Sequence, residues 1–244
     1  MENKKPALKI AMTIVFGILI LGSFFFMRFF EFPIEWGMTP LYIYFGCICA
    51  CFLFSLIFIR GDAKKILITL ALLCHVAAEF FMTVAPFLAF ESLSLETTRI
   101  VGVSLFCGAQ FFHMLYTMIL FNGIGAKIVN LAIRAVLCLL VYFILPRYIV
   151  LNTLEMIGIM YLVNSLVSLL FIICKIKQEG FMFFAFLLLF VSDLCAGLIF
   201  GSALLGWTGV FFDFIAKYDI STWIYIPSLF LIAAASVWTK KREE

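Results

Sequence analysis

Two acids sit deep inside apolar runs of this chain, Glu79 in LLCHVAAEFFM and Asp193 in LLLFVSDLCAG. An acid at the centre of a membrane helix costs about 2.5–3.5 kcal/mol on insertion scales, and intramembrane ionisable groups mark functional sites by default. Paired carboxyls can move protons or stabilise a developing cation. His75 precedes Glu79 by four residues, so the two share a helical face and can exchange a proton. Asp193 follows Ser192 and aligns with Gly197 and Gly201, a strip that admits a close neighbour. Two further runs carry Gln110, His113, Tyr116 and Thr117, and Tyr161, Asn164, Ser165 and Ser168. Facing inward, these groups form one polar core. Glu79 and Asp193 are its candidate catalytic carboxyls, with His75, Gln110, His113, Tyr116, Asn164 and Ser192 as candidates to orient substrate or water. A single Asn, Gln or Ser in such a bundle ordinarily makes an interhelical hydrogen bond of about 0.6 kcal/mol. The acids therefore carry the functional reading.

The elements that must hold these groups follow from hydropathy and charge. About 20 apolar residues cross the hydrocarbon, which predicts helices at 10–30, 40–59, 66–88, 98–121, 128–146, 149–174, 180–206 and 221–239. Of 17 Lys and Arg, 13 are assigned to every second connection: Lys4, Lys5 and Lys9; Arg60, Lys64 and Lys65; Lys127 and Arg134; Lys175 and Lys177; Lys240, Lys241 and Arg242. The intervening connections hold only Arg28, Arg99, Arg147 and Lys217. Positive charge resists translocation, so this alternation predicts an all-α, polytopic bundle of eight transmembrane helices with both termini cytoplasmic. Residues 1–244 form a single integral membrane domain, most simply in the cell membrane. The longest outer connections fall at about 89–97 and 207–220. Trp36, Tyr42, Trp207, Trp223 and Trp238 suit the headgroup belt. Glu155 lies close enough to the start of its helix to reach the outer interface.

Composition excludes other classes. The chain is 66% hydrophobic and 13% charged, with a mean hydropathy of +1.19, far from the roughly 45–50% apolar content of soluble domains. A net charge of +3 reflects orientation and implies no nucleic-acid surface. Lysines precede the first apolar run, but no small-residue cleavage site follows, so this run is an anchor. The eight cysteines lie within or beside apolar segments and are expected to be free thiols. Cys47, Cys49 and Cys51 alternate around one helix and make a poor metal site. No nucleophile elbow, P-loop or dinucleotide fingerprint is present, and no cofactor is implied.

Three stretches resemble the lysoplasmalogenase-like (YhhN) integral membrane family, whose members are eight-helix bundles. These are Ala78-Glu79, at the place of a Gly-Asp pair; His113 and Tyr116 in GAQFFHMLY; and Ser192-Asp193 in FAFLLLFVSDLCAGL. Their order and helix positions agree over roughly residues 40–238. The departures mark a divergent member. Glu79 replaces an Asp, Thr39-Pro40 stands where a Lys-Pro pair is typical, and the last helix lacks an evident Gln.

The resemblance implies hydrolysis of the vinyl-ether bond of a lysoplasmalogen or related lysolipid, drawn from the bilayer. Such bonds break when an acid protonates the β-carbon and water attacks the resulting oxocarbenium ion. Glycosidases meet the same cation with two carboxyl groups, the role expected here of Glu79 and Asp193, with His113 and Tyr116 orienting water or the phosphate side. A proton-coupled transporter using these acids as relays is the alternative. A weak likeness between the third and seventh helices is compatible with the parallel repeats of such carriers. A zinc hydrolase built on His75, Glu79, His113 and Asp193 is a third reading, without a close-spaced ligand motif.

Overall fold

In the computed structural model, residues 4–30, 32, 37–59, 61–88, 94–205 and 208–238 are described. Trp36, Arg60, Trp207, Lys240, Lys241 and Arg242 lie outside them. The helices are α1 (Lys4–Phe29), α2 (Thr39–Ile57), α3 (Ala63–Glu79), α4 (Leu95–Ile119), α5 (Ile124–Ile144), α6 (Thr153–Ile173), α7 (Gly180–Leu205), α8 (Val210–Tyr218) and α9 (Ile220–Trp238). Among the described residues there is no strand, and every helix but α8 is long and apolar enough to span a membrane. The protein is an all-α polytopic bundle.

Local sequence sets the helix starts. The Asp62 carboxylate accepts from Lys64 N at 3.0 Å to begin α3, and the Ser94 hydroxyl accepts from Thr97 N at 3.1 Å to begin α4. Asn152 and Glu155 form a reciprocal capping box at α6. Each satisfies backbone donors that a helix end leaves without partners. Glu155 is thus a partly exposed member of the cap.

The spans differ in how much of each is buried within the bundle. In α9, 61% of the spanning window is buried, against 11% in α5. The first is the central post and the second a peripheral one. Ile226, Leu229 and Ile232 of α9 meet Ile20 and Phe24 of α1, Ile48 and Phe54 of α2, Ile68 and Leu72 of α3, and Leu189 of α7. The Lys9 Nζ donates to the Val237 carbonyl at 3.3 Å, so the first and last spans have their termini at one face. Lys64, Lys127, Lys175 and Lys177 flank helix ends at that same face, called basic below.

Four details differ from the sequence reading. The helix predicted from 149 starts at Thr153, after a 3-10 turn at Leu145–Arg147, because Pro146 ends the preceding helix. The 207–220 connection contains α8, whose Val210, Phe211, Phe214 and Tyr218 are exposed and whose Ile215 is buried. The third span ends near 88 as predicted, but its regular α winding stops at Glu79 and gives way to a π turn over Phe80–Val84 and a 3-10 turn over Ala85–Phe87. Arg134 is not a connection residue. It lies ten residues into α5, about 15 Å from the basic end, and is buried.

Candidate functional site

Counted from the basic end of each helix at about 1.5 Å per residue, six polar side chains fall within one layer about 18–24 Å deep. They are Tyr44 of α2, His75 and Glu79 of α3, Tyr161 of α6, Asp193 of α7 and Tyr225 of α9. The Tyr44 hydroxyl donates to Glu79 Oε1 at 3.3 Å, and the Tyr161 hydroxyl donates to Asp193 Oδ2 at 2.8 Å. Tyr225 shares a hydrogen bond with His75 Nδ1 at 2.9 Å and stands within electrostatic range of both Glu79 and Asp193. Each acid is therefore held by its own tyrosine, with a third tyrosine between them. His75, Glu79 and Tyr225 are buried, while Tyr44 and Asp193 remain partly accessible. Ser165 is also close to Asp193.

Beneath this layer, α4 brings two groups that find no protein partner. Both amide atoms of Gln110 and Nε2 of His113 are buried without a hydrogen bond, as is Nε2 of His75. The two imidazole centroids are 5.8 Å apart, and His113 lies against the Phe186 ring at 4.7 Å. Gln110 is near Tyr161 without the geometry of a bond. Buried polar groups are nearly always satisfied, by protein or by water. The neighbouring His75 and His113 of α3 and α4, with Gln110 one turn from His113, make a place suited to water or to the polar part of a ligand.

Arg134 of α5 is clasped against α6, within electrostatic range of His113. Its Nε donates to Asn130 Oδ1 at 2.7 Å, Nη1 to Asn164 O at 2.9 Å and Oδ1 at 3.1 Å, and Nη2 to Ser168 Oγ at 2.9 Å. Asn130 reaches Thr117 Oγ1 at 3.3 Å. Nearer the basic face, Glu179 accepts from Lys64 Nζ at 2.6 Å and from the Tyr116 hydroxyl at 2.7 Å.

The predicted core on α3, α4, α6 and α7 is thus assembled, and α2 and α9 complete it. Several side chains take other places than expected. His75 pairs with Tyr225 and not with Glu79, one turn away. Tyr116 points to Glu179, away from the acids. Asn164 serves Arg134 and donates to the Met160 carbonyl at 2.9 Å. Ser192 donates to the Ser221 carbonyl at 2.8 Å, tying α7 to the start of α9. Gly197 admits Leu162 of α6, which a Cβ would meet at 3.0 Å. Tyr44, Tyr225 and Glu179 had no assigned role, and Arg134 was assigned only to a connection. The signal for Arg134 was present, since a lone Arg ten residues into an apolar run is itself an intramembrane charge. Tyr44 and Tyr225 gave none, because tyrosines near helix ends read as headgroup-belt residues.

All eight cysteines are free. Among the described residues, no three His, Cys, Asp or Glu side chains gather in a metal-binding group, so the four residues of the zinc reading do not converge. The fold and site define a multi-pass membrane protein with a polar core organised around two acids. No family model, no curated protein and no solved structure matches the chain.

Proposed function

We propose that this protein hydrolyses the vinyl-ether bond of a lysoplasmalogen-type lysolipid within the bilayer. The observation that supports this reading is that Glu79 and Asp193 lie at similar depth, each carboxyl bonded by a tyrosine and both within electrostatic range of Tyr225. One carboxylic acid delivers its proton to the β-carbon of the vinyl ether, and the electron pair of the double bond forms the new C–H bond. The carboxylate opposite stabilises the oxocarbenium ion and takes a proton from the attacking water. The hemiacetal then collapses to a fatty aldehyde and a glycerol hydroxyl, so one water is consumed and no oxidant is needed. Partial accessibility of Asp193 gives a lipid substrate a way toward the acids.

General acid–base groups contribute about 10²–10⁴-fold each. Glu79→Gln and Asp193→Asn are each expected to lower aldehyde release at least a hundredfold while leaving the unfolding temperature within a few degrees. Retention of activity in either amide variant removes the assignment.

The alternative, a proton-coupled transporter, has its own observation. Polar side chains run from Lys64, Glu179 and Tyr116 at the basic face through His113, Gln110 and His75 to Tyr225 and the acids. Such a series suits proton relay. Proton-driven uptake into sealed vesicles with no released aldehyde would decide for transport.

A further inference from the structure

Among the described residues the buried Arg134 faces no carboxylate, although one of its bonds ends on the Asn164 backbone carbonyl. Its four hydrogen bonds all end on neutral acceptors. Among the described residues, the titratable groups in electrostatic range of it are Cys138 and His113, and neither is a carboxylate. A guanidinium has five N–H groups, so one on Nη2 remains beyond these bonds. Charged groups in the bilayer interior are costly and pair with one another or with backbone carbonyls when the protein supplies a partner.

Register shows what lies beside it. Helices α4 and α5 run antiparallel, and Asn130 of α5 meets Thr117 of α4. One turn further along α5 is Arg134, and one turn back along α4 is His113, so these two are neighbours. Gln110 follows about one turn above. The unpartnered Nε2 of His113, within electrostatic range of Arg134, and the unpartnered Gln110 amide one turn on along α4 are both buried. Arginine, imidazole and amide donors together are the chemistry that recognises an oxyanion.

We infer that Arg134, His113 and Gln110 receive the phosphate of the lipid that the two acids act on. This rests on the lysolipid reading above and names the part of the substrate that the acids do not touch. Counted from the basic ends of the helices, Arg134 lies about 5–9 Å and His113 about 10–15 Å below Glu79 and Asp193, a gap for the glycerol to bridge. Asn130, Asn164 and Ser168 then act as positioning residues that aim the guanidinium.

The test is direct binding to the full-length protein in lipid nanodiscs, using three probes: a 1-alkenyl glycerophosphoethanolamine, the matching 1-alkenylglycerol without phosphate, and inorganic phosphate. The phosphate-bearing lipid is expected to bind at least tenfold more tightly than the alkenylglycerol. Arg134→Gln should erase that ratio, Arg134→Lys should keep part of it, and His113→Phe, which preserves packing on Phe186, should reduce it. If Arg134→Gln fails to fold, His113→Phe and displacement by inorganic phosphate carry the decision. Binding of inorganic phosphate alone supports the oxyanion site with a free ion as its occupant. Equal affinity for both lipids together with no binding of inorganic phosphate, or an unchanged ratio in a folded Arg134→Gln protein, overturns the inference. Selective binding without aldehyde release would sink the hydrolase reading and leave this site standing.

Discussion

Tyr44 and Tyr161 come from different helices and perform the same task on different acids. A hydrogen bond to a charged or protonating carboxyl fixes its orientation and is worth about 1.5–3 kcal/mol. Removing either hydroxyl should therefore cost about tenfold or more in aldehyde release. Tyr44→Phe and Tyr161→Phe are expected to show this loss with native-like unfolding curves, whereas Tyr42→Phe, on an exposed face two residues away, should behave as the parent. Equal activity in all three would mean that the tyrosines only pack. At this scale the sequence was half legible. Glu79 and Asp193 announce themselves by their insertion cost, and the structure turns both inward. Their tyrosines do not, because a tyrosine carries no such cost and reads the same in a core, at a site or in a headgroup belt. Arg134 was misread for a different reason. Counting it with Lys127 satisfied the charge alternation, and that regularity concealed an arginine at mid-span.

Helix α3 changes character directly after its acid. The π turn over Phe80–Val84 begins at the residue following Glu79, and the Thr83 hydroxyl donates to the Glu79 carbonyl at 2.6 Å. Single-turn π segments inside helices frequently occur at functional sites, and nothing in FFMTV signals one. What accommodates it is Gly102 of α4. A Cβ there would stand 2.5 Å from Met82 Cγ and 3.2 Å from the Ala78 carbonyl oxygen. The methionine can move aside, but the carbonyl belongs to the helix that carries Glu79. Gly102→Leu is expected to destabilise the protein by about 1–3 kcal/mol, as overpacking does, and to lower activity along with it. Gly46→Leu on α2, with no atom within 4 Å of its Cβ position, should do neither. Thermal unfolding in detergent, followed by the aldehyde assay, distinguishes the two.

Across the whole molecule, the eight spans and the shared face of the two termini were legible because they depend on sums over many residues. Removing Arg134 from the connections leaves the alternation intact, since Lys64, Lys127, Lys175 and Lys177 still share one face. Positive-inside bias predicts that this face is cytoplasmic. Cys174 provides the check, being the exposed thiol at the basic end of α6. In intact cells a membrane-impermeant maleimide should leave it unlabelled, and in inverted vesicles it should react within minutes. The opposite pattern reverses the orientation. The helix ends were read less well, because they depend on single residues such as Pro146, Asn152 and Gly209.

The clasp around Arg134 also has a consequence for how the chain is made. Helix α5 leaves the ribosome before α6, carrying a guanidinium whose acceptors on α6, Asn164 and Ser168, have yet to be synthesised. Until they arrive, Asn130 is its one partner among those four bonds. The two helices therefore settle as a hairpin, and a chain truncated near residue 150 and released would hold α5 loosely, open to quality-control proteases.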